Sequence, residues 1–294
     1  SYSSGDKVAS LNMDSSEFVS RCMMRLLAYQ GKLMADILPQ LLVNIVDCIK
    51  AVVESPKSPS FNHYLFELLG VCMRNISNGD SLDALVLPVL IGILEKSVTD
   101  FIPYSLQLLA LRLDTLTSRN ELYDKLFIHL IDAKTWHGPV SIIPGIVRLC
   151  SSFFKQHQLF QHTISTHLKQ VFERFQFCLG HRRLQSTISF DLLGDLVRFL
   201  PFNWYSQYLT ALANLLLSKS QEWNRIGDHQ TILRVISTLS IIIIKKPMDL
   251  MPEHSLIHIL DTLQSGLSSL FFGKVVFPTL LKASLSPRSK HTQH

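Results

Sequence analysis

The side chains best suited to grip another molecule are arginines. Arg74, Arg112, Arg148, Arg198 and Arg234 each stand on what the hydrophobic pattern makes the second helix of a helix pair. A guanidinium is planar, permanently charged and able to take a carboxylate through two parallel N–H donors, so a row of them suits an acidic protein partner. The competing reading is structural. Each arginine would tie neighbouring repeats together through acids such as Asp83, Asp114 and Asp195, and varying offsets from the preceding break mean the five need not align. His181, Arg182 and Arg183 form a tight basic cluster in a turn between helices. Exposed turns often touch ligands, although a merely solvated turn looks the same in sequence.

Other chemistry finds little support. His157, His162 and His167 are spaced by five, which puts successive rings on different faces of a helix, whereas a helical zinc pair needs i, i+4 spacing. There is no G-x-S-x-G elbow and no glycine loop to cradle a phosphate. Asp191 and Asp195 are four apart and read as a hydrated helix face rather than a catalytic pair. No catalytic residue, cofactor site or metal ligand is therefore assigned. The five cysteines, Cys22, Cys48, Cys72, Cys150 and Cys178, are odd in number and include no C-x-x-C pair, which argues against a disulfide framework or a zinc site. Lying in apolar runs, they are expected to be buried thiols in a reducing compartment.

The elements that must position these residues are helices. The chain of 294 residues is 47% hydrophobic and only 17% charged, against a usual charged share of about 25%. So little polar cover suits helices sandwiched between neighbours on both sides. No run alternates convincingly at strand period, whereas Phe61, Leu65, Leu69, Cys72 and Ile76 step by three or four. Polar breaks at 55–59, 97–100, 135–139, 180–183 and 221–227 recur at roughly 40 residues, the period of HEAT and armadillo units. The spacing predicts about five antiparallel pairs: 33–54 with 61–76, 82–96 with 101–116, 121–133 with 142–156, 164–179 with 184–200, and 204–219 with 231–245. Asp80, Ser81, Ser118 and Asn120 are candidate N-caps, and Ser60 or Asn62 could cap the helix that the phrase Phe61 to Tyr64 opens. Pro59, Pro139 and Pro201 sit at or near helix starts, and Pro88 should kink the helix that contains it.

The expected fold is all-α, a right-handed HEAT solenoid spanning 17–285, flanked by flexible segments at 1–16 and 286–294. A leading helix at 17–29 and helices at 253–285 lack partners, so the chain reads as a piece of a longer array. No run reaches the roughly 18 apolar residues of a membrane span, and the start lacks a signal-peptide core, so a soluble intracellular protein is expected. The net charge of +5 is modest and scattered, unlike the basic stripe of a nucleic-acid binder.

Three blocks narrow the family. SPKSPSFNHYLFELLGVCMRNI (55–76), DFIPYSLQLLALRLD (100–114) and IIPGIVRLCSSFF (142–154) resemble, in order and spacing, successive blocks in the C-terminal third of the CAS-type exportins of the karyopherin superfamily. CMMRLL (22–27) fits the preceding family block, and FGKVVFP (272–278) looks like a late one, while the region between rests on rhythm alone. The resemblance implies a superhelical exportin that binds importin-α and RanGTP together in the nucleus and releases both after GTP hydrolysis in the cytoplasm. It would shuttle through the pore with transient contacts there, and would bind no nucleic acid and enter no membrane. Much of the family's Ran-binding arch precedes this region, so only part of that mechanism would reside here. A HEAT scaffold or adaptor unrelated to nuclear transport explains the period but not FNHY and FIPY at their separation. An enzyme with a site between helices has the weakest support, because nothing polar converges.

Overall fold

A computed structural model describes residues 36–54, 59–76, 79–181, 186–209 and 229–245, with 22, 25–26, 211–212, 215–216, 219 and 223. Among the described residues every regular element is helical. Packing divides the chain into two compact units at the Phe160–Gln161 bond.

The first unit is a stack of antiparallel pairs. Helix α1 (Leu38–Glu54) pairs with α2 (Pro59–Asn75), and α3 (Gly79–Glu95) with α4 (Ile102–Leu113). Helix α5 (Glu121–Ile131) and the short α6 (Ala133–Trp136) precede a 3₁₀ turn (Val140–Ile142) and α7 (Ile143–Lys155), which packs on α5. First helices lie against first helices (α1 on α3, α3 on α5) and second against second (α2 on α4, α4 on α7). This two-row stacking is the HEAT arrangement, and it explains the composition. A helix with a pair partner on one side and row neighbours on others must be apolar round most of its girth. In α7, for example, Ile143, Ile146, Val147, Leu149, Cys150, Phe153 and Phe154 are all buried.

Helix ends are closed by local chemistry. The Asn120 side chain accepts the Leu122 amide at 2.9 Å, as the cap pattern predicts, and Asp132 does the same for Lys134 at 2.7 Å. The last carbonyls of α5 are taken by α6: Thr135 Oγ1 donates to His129 O (2.7 Å) and the buried Trp136 Nε1 to Leu130 O (2.6 Å). Pro103 and Pro144 enter the first turns of α4 and α7, where no amide donor is needed. Aromatic rings fill the core both between second-row neighbours and within pairs. Phe66 stacks against Phe101 and Tyr104 at 5.5 and 5.4 Å, while Phe153 meets Phe127 at 5.0 Å and Phe160 at 5.1 Å.

Second-row helices approach one another over glycine. A Cβ on Gly70 of α2 would stand 3.0 Å from Leu108 Cδ2 of α4, and one on Gly145 of α7 would stand 2.9 Å from Leu106 Cδ1 of the same helix. Helix α4 is thus clasped on two sides by neighbours that present backbone rather than side chain.

In the second unit α8 (Gln161–Thr166) leads into α9 (Leu168–Gly180), which pairs with α10 (Ser186–Phe199). Helix α11 (Phe202–Tyr205) and a 3₁₀ turn (Ser206–Tyr208) follow, and α12 (His229–Lys245) packs along α10. A Cβ at Gly194 of α10 would face Thr238 Oγ1 of α12 at 3.8 Å, a looser version of the glycine contacts above. Lys245 at the end of α12 donates to the carbonyls of Arg198 and Leu200 at the end of α10, which supplies a cation to that C-terminus. Burial pushes the Lys245 ammonium below its ordinary value.

Several expectations need correction. The helix expected over 164–179 is interrupted at His167, whose Nδ1 lies 2.8 Å from Thr163 O. The break expected at 135–139 begins earlier, because Asp132 caps the extra turn α6. Helix α3 starts at Gly79 and α2 at Pro59, so Asp80, Ser81, Ser60 and Asn62 lie inside first turns rather than at N-caps. Cys72, Cys150 and Cys178 are buried as expected, but Cys22 and Cys48 are exposed. Residues 1–16, most of 17–29, 253–285 and 286–294 lie outside the described residues. No described helix is long and apolar enough to cross a membrane.

Candidate functional site

The five second-row arginines differ in what the fold gives each of them to hold. Arg112 is the most deeply committed: its Nε and Nη2 reach Asp83 Oδ1 and Oδ2 at 2.7 and 3.3 Å, with side chains 13% and 4% exposed. The pair joins α3 to α4 within one repeat, where the structural reading had expected a tie between repeats. Gly79 makes room for it, since a Cβ there would collide with Arg112 Nη2. The pair also lies near Tyr123 of α5, whose phenol is driven far above its usual range by burial, with Asp83 adding to the shift and Arg112 opposing it.

Arg234 of α12 pairs with Asp191 of α10 at 2.9 Å, a true tie between successive second-row helices, with both side chains half exposed. Arg198 lies 4.0 Å from Asp195 one turn earlier on its own helix. Asp191 and Asp195 are thus engaged in ion pairs, not left as a bare hydrated face. Asp114 meets Lys155 at 3.8 Å, not an arginine.

Arg74 and Arg148 are different. Both are exposed, and neither makes a hydrogen bond or ion pair with any other described residue. The fold of the first unit brings them to one groove of about 490 Å³ that runs over α2 and α4, with Arg148 contributed by α7. Its apolar lining is Phe66, Leu108 and Leu111, with the half-buried Tyr104 ring beside them, and Glu67, Gln107 and Asp114 stand at its polar edge. Arg74 also lines a smaller depression of about 260 Å³, with Met73, Ile76, Leu111, Arg112 and Thr115. Tyr104, Gln107, Leu111 and Asp114 step by three or four along α4. Sequence reasoning named Asp114 only as an arginine partner and passed over the half-buried Tyr104 and Leu111 and the exposed Gln107 in favour of the arginines.

His181 caps the end of α9, half buried, with its ring 5.4 Å from that of Phe177. Arg182 and Arg183 lie outside the described residues. The ring nitrogens of His157 and His167 face the carbonyls of Phe154 (3.1 Å) and Thr163 (2.8 Å), and His162 is exposed. No group of three or more His, Cys, Asp or Glu side chains converges among the described residues. The buried thiols are raised by desolvation, Cys72 to about 11 and Cys178 to about 12, in the latter case against the opposing charge of Arg174. Raised thiols are poor nucleophiles.

Comparison with known proteins agrees with the arrangement of helices. The chain is 26% identical over 267 residues to the importin alpha re-exporter of Saccharomyces cerevisiae, covering 90% of this chain and 26% of that protein. It is 26% identical over 275 residues to exportin-2 of Danio rerio, covering 91% of this chain and 27% of that one. A solved structure, of the exportin Cse1 in its cargo-free, cytoplasmic state, superposes with a TM-score of 0.67 over 90% of this chain and 27% of that one, at 24% identity, a likeness of fold. The chain thus spans about a quarter of the length of these relatives. Residues 6–292 match the family described as CAS/CSE protein, C-terminus, and the chain belongs to that family.

Proposed function

We propose that this chain is the C-terminal part of a nuclear export receptor that carries importin-α from nucleus to cytoplasm in a complex dependent on RanGTP. The single observation that carries the reading is the family match over nearly the whole chain, to relatives named for re-exporting importin alpha. The physical argument runs parallel to it. A stack of helix pairs presents a long surface made of successive helices, which suits holding a folded protein better than transforming a small molecule. The second row of helices supplies the partner-facing residues in this reading, with the arginines of α2 and α7 as its contacts and those of α4, α10 and α12 as its struts. Membership of the family removes the unrelated scaffold from consideration.

The test is capture of purified importin-α by the immobilised full-length receptor that carries this chain, with Ran locked in its GTP form present or replaced by the GDP form. Capture that rises with RanGTP is the expected result. A full-length receptor that retains no importin-α under either condition, or retains it equally with GDP-bound Ran, overturns the proposed export role. Shuttling between nucleus and cytoplasm follows from the same reading and is checked by imaging the tagged protein while export is blocked.

A further inference from the structure

The groove over α2 and α4 differs from the rest of the second row in one chemical respect: its cations are not already neutralised. At Arg112, Arg198 and Arg234 an aspartate of the same chain stands 2.7 to 4.0 Å away. Arg74 and Arg148 have no such acid among the described residues, yet they come from different helices and converge on one depression. Two exposed guanidiniums carried by different helices on one groove are suited to receive a carboxylate from outside.

The remaining lining narrows the ligand. Leu108 and Leu111 on α4 and the half-exposed Tyr104 ring give the groove an apolar bed. Glu67 stands two turns before Arg74 on α2, and Asp114, held by Lys155, stands at the end of α4. These acids repel a continuous polyanion such as a nucleic-acid backbone or a run of glutamates. They tolerate one carboxylate placed between the arginines, with uncharged side chains on either side of it.

We propose that this groove docks an amphipathic segment of a protein partner, in which a carboxylate seats between Arg74 and Arg148 and a neighbouring apolar side chain lies on Tyr104, Leu108 and Leu111. The inference rests on the export reading in taking importin-α as the first probe, but the chemistry of the groove stands without it. Arg112 is excluded from the contact because Asp83 already occupies it.

The experiment measures the affinity of importin-α, in the presence of RanGTP, for the full-length receptor that carries this chain and for its Arg74→Ala, Arg148→Ala, doubly substituted and Arg234→Ala variants. Each groove substitution is expected to weaken binding on the order of tenfold, as expected for loss of a charge-assisted contact, and Arg234→Ala to leave it unchanged. Arg74→Lys, which keeps charge but not the fork, should fall in between. Both arginines are exposed, so helicity should be unaltered, which circular dichroism verifies. If importin-α binds but the double variant binds it equally well, the groove proposal fails and the export reading stands. If the unsubstituted full-length receptor does not bind importin-α, the export reading fails, and the groove is judged with a labelled amphipathic Leu/Glu peptide and its Leu/Gln counterpart. Tighter binding of the Glu peptide, lost in the double variant, supports the groove. Equal binding of the two peptides, or stronger competition by poly-glutamate or RNA than by the Glu peptide, overturns it.

Discussion

Replacing Arg112 by Met tests how the first unit holds its second repeat together. The guanidinium meets the Asp83 carboxylate at 2.7 and 3.3 Å in a space where the two side chains are 13% and 4% exposed. Methionine fills much of the volume but leaves the carboxylate buried with no cation. Breaking a buried pair from one side costs about 3–5 kcal/mol, because the remaining charge has lost both solvent and partner. For a unit of this size each kcal/mol shifts the midpoint by roughly 2–4 °C, so the thermal transition of the first unit should fall by about 6–20 °C. Asp83→Leu combined with Arg112→Met should recover most of that loss, since an apolar pair avoids the desolvation that the ions suffer. Thermal unfolding followed by far-ultraviolet circular dichroism, with urea midpoints alongside, reads both variants. A loss below about 1 kcal/mol for Arg112→Met, the range of a surface pair, or a double variant as unstable as the single one, would refute the argument that the pair is a buried strut.

Four further outcomes follow from particular residues. Gly145→Ala should destabilise by about 1–3 kcal/mol because its Cβ would press on Leu106, whereas Gly92→Ala, with nothing within 4 Å, should stabilise by about 0.5–1 kcal/mol through helix propensity; urea midpoints of the two variants should move in opposite directions. Maleimide at about pH 8 should modify Cys22 and Cys48 quickly and Cys72, Cys150 and Cys178 only on unfolding. Because Cys72 is raised from 9.0 to about 11 in the folded chain, its contribution to stability is full below pH 9 and is lost as pH rises towards 11, which a urea series across that window measures. Trp136→Phe should cost about 1–3 kcal/mol in thermal unfolding, since it strands the Leu130 carbonyl that the indole satisfies at 2.6 Å.

The helix pairs were legible because the two signals that define them, apolar steps of three or four and polar breaks near every fortieth residue, are local. Where local chemistry is subtle the reading slipped: the extra turn at 133–136 depends on Asp132 serving as a cap, and nothing in periodicity announces that. The cysteines show the limit of hydrophobic context, since Cys48 lies in as apolar a run as Cys72 but on the exposed face of α1. The arginines show it more sharply. Arg112 and Arg148 sit in similar phrases, LALRLD and GIVRLC, yet one is buried on Asp83 and the other faces an open groove. What separates them is Gly79, whose missing side chain admits the Arg112 guanidinium from another helix. Glycines inside apolar helices, at 70, 145 and 194, were the unread signal for where second-row helices come closest.

The measurement closest to the core of this account is amide hydrogen exchange of the chain, read residue by residue, with and without importin-α and RanGTP. Slowed exchange along α2, α4 and the start of α7, around Arg74, Tyr104 and Arg148, is the result predicted for cargo held on the second row. Protection confined to α1, α3 and α5, or bound cargo that leaves the exchange of α2 and α4 unchanged, would contradict it.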